Sequence, residues 1–168
     1  MLPDILAAEL DVVFCGVAAG RRSAEVGMYY AGPGNRFWTI LSETGLTPRL
    51  LSPEMAGELL HVGIGLTDLA KDASGADSEI PRSALAPARL VELLETWRPA
   101  IVAFNGKYAA RTALGRPVDY GEQTGLSLGG ATPWVLPSTS GAARRYWSVE
   151  PWRGLAATVR SFRAARRS

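Results

Sequence analysis

The sequence predicts a single α/β domain with a mainly parallel central sheet flanked by helices. A chain of 168 residues suits one hydrophobic core, and a composition of 47% hydrophobic and 20% charged residues is that of a globular protein. Short apolar runs alternate along the chain with segments of helical periodicity. That alternation is typical of a parallel sheet covered by helices on both faces.

Three short apolar runs are predicted to be buried strands. They lie at residues 12–15, 101–104 and 133–136, and each leads directly into a loop rich in Gly, Pro or Ser. In an open parallel sheet, ligands bind beyond the carboxyl ends of the strands. We therefore expect the loops after these strands, up to about residues 35, 108 and 145, to converge on one crevice.

Apolar residues at helical spacing predict three helices. Pro87 is a plausible first-turn residue of the second helix, and a basic C-terminal helix is expected at about residues 150–166. The polar segment 71–81 is predicted to be a surface loop. The apolar stripes consist of Phe37, Trp38, Ile40 and Leu41, then Leu90, Leu93, Leu94 and Trp97, then Trp152, Leu155, Val159 and Phe162.

Charge is distributed unevenly along the chain. The net charge is +2, but the segment from Arg144 to the end holds seven arginines and one acidic residue, which leaves the preceding part with an excess of acid. A basic end on a mildly acidic body favours a polyanion partner such as nucleic acid, whereas a solvated Arg-rich helix is the alternative.

Several classes of protein are excluded by composition. One cysteine and one histidine, Cys15 and His61, supply neither an internal disulfide nor a structural zinc site, and Cys15 is expected to be buried. No stretch is long and apolar enough to span a bilayer, and the acidic N-terminus lacks the basic region of a secretory signal. We expect a cytoplasmic protein without a metal.

The three loops carry ordered motifs. GVAAG at residues 16–20 and YAGPGNRFW at 30–38 resemble motif one of the mismatch-specific uracil and thymine-DNA glycosylases of the uracil-DNA glycosylase superfamily, which usually reads Gly-Ile-Asn-Pro-Gly followed by Pro-x-Asn-x-Phe-Trp. AFNGK at 103–107 resembles their Phe-Asn-Gly-Lys segment. LPSTSG at 136–141 resembles their Pro-Ser-Ser-Ser or Asn-Pro-Ser-Gly motif. The resemblance covers about residues 4–147.

This resemblance implies a three-layer α/β/α fold and a monofunctional DNA glycosylase of base-excision repair. Such an enzyme flips uracil out of DNA and hydrolyses its N-glycosidic bond, which leaves an abasic site and needs no cofactor. The implied partner is DNA that contains uracil or a mismatched or damaged base, and we expect the chain to act as a monomer.

The resemblance also implies a uracil pocket. Backbone amides of the turn after the first strand would face the uracil oxygens and the departing anion. Tyr30 would stack on the flipped base, and Asn35 would either read the base edge or cap a helix. The implied uracil-binding set is Gly16, Val17, Ala18, Gly20, Tyr30 and Asn35.

The third loop is implied to bind DNA. Its hydroxyls and amides would hold the phosphates beside the flipped nucleotide, although an ordinary Ser/Thr turn is the alternative. Because Ala142 and Ala143 are small, one of the two following arginines would fill the base stack or contact the opposite strand. The implied DNA-binding set is Lys107, Ser138, Thr139, Ser140, Gly141, Arg144 and Arg145.

The catalytic asparagine of motif one is replaced by Ala18, whose methyl group cannot accept a hydrogen bond from water. Asp68 is the best substitute, because its segment matches one beside the pocket in the family and a carboxylate orients water. Ser23 and Glu25 are the other candidates, since they share the loop with Ala18. No lysine of the motifs is placed as a Schiff-base nucleophile, which disfavours lyase chemistry.

Two alternatives to this enzyme stay open. Without the asparagine, the protein could bind uracil or mismatched DNA with weak or no catalysis. An unrelated α/β enzyme could use Gly16 and Gly20 to hold a nucleotide, but the chain lacks a Walker-type Gly-Lys-Ser/Thr motif.

Overall fold

The computed structural model describes residues 2–167, and its centre is one five-stranded sheet. The strand order is β2-β1-β3-β5-β4, with every pairing parallel except the antiparallel pair of β4 and β5. The predicted mainly parallel α/β sheet is therefore confirmed. The strands are β1 (Val12–Gly16), β2 (Ile64–Asp68), β3 (Ile101–Asn105), β4 (Gly121–Glu122) and β5 (Thr132–Leu136).

Within residues 2–167, five α-helices and four 3₁₀ segments connect and follow the strands. The α-helices are α1 (Arg21–Val26), α2 (Phe37–Glu43), α3 (Pro87–Trp97), α4 (Lys107–Leu114) and α5 (Glu150–Arg167). The 3₁₀ segments are Pro53–Val62, Asp77–Glu79, Arg82–Ala84 and Gly141–Tyr146. None of the helices within residues 2–167 is long and apolar enough to cross a membrane.

Helices cover both faces of the sheet. On one face, α2 and α5 pack on alternate strand residues such as Phe14, whose ring stacks on Trp152 of α5 with centroids 5.6 Å apart. On the other face, α3 and α4 pack on the intervening residues, which include Cys15. Burial raises the pKa of the Cys15 thiol. The four parallel strands are buried on both sides because helices cover both faces of the sheet, whereas the short edge strand β4 is partly exposed.

Strand β2 was not predicted, since glycines interrupt its apolar pattern. Gly65 is needed there because a Cβ at this position would lie 2.7 Å from the carbonyl oxygen of Ile5. Ile5 and Leu66 exchange two backbone hydrogen bonds of 2.9 Å, which fasten the N-terminal segment along β2. The N-terminal segment thus reaches the carboxyl end of β2.

The arginines near the end of α5 lie at the amino edge of the sheet. Arg163 and Arg166 both pair with the buried carboxylate of Asp11, which immediately precedes β1. Arg163 also donates to the carbonyl oxygens of Leu46 and Val62. These two guanidinium groups therefore stabilise the fold, so the uneven charge of the sequence does not correspond to one basic surface.

Candidate active site

The carboxylate of Asp68 lies where β1 and β2 end. Parallel pairing places Asp68 opposite Gly16, and the residue is only 4% exposed. A Cβ on Gly16 would lie 2.8 Å from Asp68 Oδ1 and 3.5 Å from the Tyr30 hydroxyl. Glycine at position 16 therefore leaves room for the carboxylate to extend over the end of β1, beside the turn that contains Ala18.

A small charged network surrounds Asp68. Lys71 Nζ lies 3.8 Å from Asp68 Oδ2 and 2.9 Å from Asp4 Oδ1, and Arg89 pairs with Asp4 at 3.0 Å. Burial raises the pKa of Asp68 to about 6; Lys71 and Arg89 lower it, and Asp4 adds to the rise. A carboxyl group with this pKa changes its charge near neutral pH, as general bases at active sites often do.

The ammonium group of Lys71 is held by three acceptors. It donates to the carbonyl oxygen of Leu2 at 3.0 Å and to the Tyr29 hydroxyl at 2.7 Å, in addition to the Asp4 carboxylate. Tyr29 in turn donates to the carbonyl oxygen of Pro3. Because an ammonium has three N–H bonds, these partners use its full donor capacity and fix its position beside Asp68.

Tyr30 lies beside the same strand ends. One face of the ring stacks on Phe37 with centroids 4.0 Å apart, and the backbone has the left-handed φ of +52°. The buried hydroxyl lies near Asp68 and Asn105 and makes no hydrogen bond of regular geometry within residues 2–167. Burial and the charge of Asp68 raise the pKa of this phenol, so it stays protonated.

Asn105 joins the second loop to the third. Its amide nitrogen donates to the Thr139 hydroxyl at 2.9 Å, and its amide oxygen accepts from the Thr139 backbone N–H at 3.0 Å. Thr139 is fully buried, and its carbonyl oxygen accepts from the backbone N–H of Arg36. These bonds bring the three loops together at the carboxyl edge of the sheet, as the sequence predicted.

Close backbone packing joins the first loop to the 3₁₀ segment Gly141–Tyr146. A Cβ on Gly141 would lie 3.2 Å from the carbonyl oxygen of Pro33, so a larger residue would separate these loops. Ser140 caps the segment by accepting from the backbone N–H of Ala142. This arrangement places Arg144 and Arg145 on the exposed side of the third loop.

Comparison with known proteins shows the family of this chain. The family model described as the uracil DNA glycosylase superfamily matches residues 3–158. The chain belongs to the uracil DNA glycosylase superfamily. Its fold is similar to the solution NMR structure of a protein from Methanosarcina acetivorans described as a candidate uracil DNA glycosylase, with 23% identity, 95% of each chain covered and a TM-score of 0.66. Superfamily membership supports a DNA glycosylase activity.

The other catalytic candidates have partners of their own. Ser23 is buried, and its hydroxyl accepts from the backbone N–H of Ala31, which shapes the first loop. Glu25 is exposed and pairs with Arg22 at 3.6 Å. Of the three proposed catalytic residues, Asp68 alone is placed in the charged network of this superfamily member's crevice.

Several predicted binding residues make contacts within the fold. Asn35 Oδ1 accepts a hydrogen bond from the backbone N–H of Phe37, the first residue of α2, whereas the N-cap position of this helix is Arg36. The carbonyl oxygen of Val17 accepts from the N–H of Ala70, and that of Gly20 begins α1 by accepting from Ala24. Such bonds fix the backbone of the turn around Ala18. The Lys107 ammonium lies 4.5 Å from the centre of the Tyr120 ring.

The sequence pattern did not predict three charged residues of the network. Asp4, Lys71 and Arg89 lie far apart along the chain, and only the spacing of Lys71, three residues after Asp68, was a usable signal. Most of the predicted surface loop 71–81 is exposed, but the Lys71 side chain is only 12% exposed and Ile80 is buried. Among residues 2–167, no group of three or more His, Cys, Asp or Glu side chains is placed to hold a metal ion.

Proposed function

We propose that this chain is a monofunctional DNA glycosylase of the mismatch-specific uracil type. It flips uracil out of DNA and hydrolyses the N-glycosidic bond, which leaves an abasic site. The observation that carries the proposal is the carboxylate of Asp68, buried over Gly16 at the end of β2. That position supplies a base at the bottom of the crevice, although motif one carries Ala18.

The proposed base pocket uses the turn at residues 17–20 and the ring of Tyr30. Backbone amides of the turn face the uracil oxygens and stabilise the charge that develops on the leaving base without reorganising. The bonds that Val17 and Gly20 make through their carbonyl oxygens support this rigidity. Tyr30 stacks on the base through one ring face, while Phe37 covers the other.

In the proposed reaction, the bond between C1′ of the deoxyribose and N1 of uracil breaks, and uracil leaves with the electron pair. The sugar becomes a cation, which the ionised Asp68 carboxylate stabilises by charge. A water molecule attacks C1′ and transfers its proton toward Asp68, and that proton then neutralises the uracil anion. The products are neutral uracil and an abasic sugar, so hydrogen, oxygen and charge balance with water as the one added reactant.

Lys71 takes a positioning role in this proposal. A lysine that forms a Schiff base must present a free amine, whereas the Lys71 ammonium donates to Leu2, Asp4 and Tyr29. Its charge favours the ionised form of Asp68. The proposed enzyme therefore hydrolyses the base from the sugar and does not cleave the strand.

The proposed DNA-binding site lies on the third loop. Ser138 and Ser140 contact phosphates, and either Arg144 or Arg145 enters the space that the flipped base leaves. Thr139 holds the loop, because its hydroxyl and its N–H are both bonded to Asn105. Gly141 helps to position this loop, because the absence of a side chain allows close contact with Pro33.

Replacing Asp68 tests the proposal. Wild-type protein should convert a uracil-containing oligonucleotide to a product that breaks only after alkali. Asp68→Asn keeps the shape but lacks the charge and the proton acceptor, so the single-turnover rate should fall by about 10² or more. Binding of the uracil DNA, measured by fluorescence anisotropy, should persist.

The matched control is Glu25→Gln, which makes the same change on an exposed acid near the same turn. It should cleave at the wild-type rate. Unchanged turnover in Asp68→Asn, or a large loss in Glu25→Gln, would contradict the assignment of Asp68. Strand breakage without alkali would contradict the monofunctional reaction.

A second candidate function is recognition of uracil or mismatched DNA without efficient chemistry. Ala18 favours it, because a methyl group cannot position the attacking water. Wild-type protein that retains uracil DNA, yet leaves the base attached under every tested pH, would support this function over the enzyme.

A further inference from the structure

A groove lies between the start of α3 and the start of α4, outside the proposed base pocket. Its volume is about 480 Å³, and its walls combine apolar side chains with two guanidinium groups. That volume is within the range of small-molecule sites, which is roughly 300–1,000 Å³. The lining residues are Arg82, Leu85, Pro87, Tyr108, Arg111 and Thr112.

The groove opens at the same edge of the sheet as Asp68. Ala86, which precedes the lining residue Pro87, donates its backbone N–H to the carbonyl oxygen of Leu69, the residue after Asp68. On the other wall, Tyr108 follows Lys107 at the start of α4, directly after β3. A DNA strand that lies over the candidate site therefore has the groove beside it.

The two guanidinium groups of the groove are available to a ligand. Arg82 and Arg111 are exposed, and neither forms an ion pair with a carboxylate within residues 2–167. Lys107 and Arg111 are four residues apart on α4 and so lie on one side of that helix. Several other arginines do pair with carboxylates, namely Arg21, Arg22, Arg49, Arg89, Arg153, Arg163 and Arg166.

We propose that this groove binds the sugar-phosphate backbone of DNA that flanks the flipped nucleotide. A phosphate lies between Arg82 and Arg111, and the adjoining deoxyribose packs on Leu85, Pro87 and Tyr108. Phosphates are bound by guanidinium groups, and the apolar wall fits the carbon face of a sugar. Inorganic phosphate alone fits the groove less well, because it would leave the apolar wall exposed to water. The inference rests on the proposed function in that its ligand is the DNA substrate.

The salt dependence of DNA binding tests the groove. The probe is a duplex of about three helical turns with a central uracil analogue that resists hydrolysis. Arg82→Ala/Arg111→Ala should weaken binding on the order of tenfold at about 0.1 M salt, and the slope of log affinity against log salt should fall by about 2. The hydroxyl-radical footprint should become shorter on one flank and stay intact around the uracil.

Arg98→Ala/Arg116→Ala is the matched control. It removes two exposed arginines after the C-terminal ends of the same helices, away from the groove. This control should keep the wild-type slope and footprint, and Arg82→Lys/Arg111→Lys should keep the wild-type slope because the charge remains. Thermal melting of each variant verifies that the fold is intact.

The outcomes separate the two proposals. If wild-type protein excises uracil while Arg82→Ala/Arg111→Ala binds DNA with the slope and footprint of the control, the groove is not a DNA site and the proposed function stands. If wild-type protein neither binds nor cleaves uracil DNA, the proposed function fails and the inference fails with it. The groove is supported as a DNA site if the salt slope falls and the footprint shortens in Arg82→Ala/Arg111→Ala and in neither of the other variants.

Discussion

At the scale of single residues, the proposed chemistry depends on a pair of positions. Ala18 has no polar group, while Asp68 places a carboxylate over Gly16 from the neighbouring strand. Parallel pairing of β1 and β2 brings these two strand ends side by side. The carboxylate beside the turn after β1 thus comes from the end of β2 and not from the turn itself.

The pH dependence of cleavage reports on Asp68. Because burial raises the pKa of Asp68 to about 6 and the ionised form is the base, the rate should increase as pH rises through about 6 and level off above it. Lys71 lowers this pKa and Asp4 raises it. Lys71→Met should therefore move the rising limb to higher pH, and Asp4→Asn should move it to lower pH.

The two variants act as controls for each other. Each removes one member of the Asp4–Lys71 ion pair, so loss of structure alone would affect both alike. Single-turnover rates between about pH 5 and pH 9, on either side of the pKa of Asp68, locate the pH at which the cleavage rate rises. Shifts in the same direction would contradict an electrostatic role for this pair.

At the scale of elements, loops at the carboxyl ends of three strands are joined by few but well-placed bonds. Asn105, the last residue of β3, binds the buried Thr139 through both atoms of its amide. Thr139 in turn accepts from the N–H of Arg36 just before α2. One side chain therefore determines how the third loop, proposed to bind phosphates, packs against the first loop, which is proposed to form the base pocket.

Asn105→Ala should loosen this junction. It leaves the hydroxyl and the N–H of Thr139 without these partners inside the fold, and each loss of a buried partner costs about 1–3 kcal/mol. The free energy of unfolding in urea should fall by about 2 kcal/mol, and the Thr139 amide should exchange faster with solvent. DNA affinity should weaken as well.

Ser148→Ala is the control, since Ser148 is exposed and makes one long hydrogen bond, to the N–H of Glu150, at 3.4 Å. It should leave the Thr139 amide as protected as in wild type. Wild-type protection of that amide in Asn105→Ala would show that the junction does not depend on the Asn105 side chain.

At the scale of the whole molecule, the charged groups divide between the two edges of the sheet. At the amino edge, Asp11 is buried and binds Arg163 and Arg166, which fasten the end of α5 to the start of β1. At the carboxyl edge, the charged network holds Asp68, and the third loop presents Arg144 and Arg145. Stability and the proposed chemistry therefore depend on separate charge clusters.

Asp11→Ala should separate these roles. It leaves Arg163 without its buried carboxylate, and breaking a buried ion pair by removing one partner costs roughly 3–5 kcal/mol. Because Arg166 is largely exposed and relaxes into water, we expect a loss of about 2–4 kcal/mol in urea unfolding. At 25 °C the folded fraction should excise uracil at the wild-type rate.

The matched control is Glu150→Ala, which breaks the exposed pair with Arg153 at the other end of α5. It should cause no measurable change, because exposed pairs contribute little. Equal effects of the two substitutions, or a rate that falls with Asp11→Ala after correction for unfolded protein, would contradict this division.

The sequence by itself determined the fold class, three of the strands and the convergence of the loops. Continuous apolar runs and helical stripes are local patterns, and the carboxyl ends of parallel strands must meet at one edge. It also singled out Asp68 by its motif context. Strand β2 escaped detection because Gly65 breaks its pattern, and Gly65 is required by contact with Ile5, which is distant in sequence.

Only the tertiary structure decided the surroundings of Asp68. Asp4, Lys71 and Arg89 come from the N-terminal segment, from the loop after β2 and from α3, and no local pattern links them. It also decided that the Asn35 side chain bonds to the backbone N–H of Phe37 and that Arg163 and Arg166 stabilise the fold. The physical reason is that charge pairing and burial depend on distances in space, which a sequence pattern records only when the partners lie within one element.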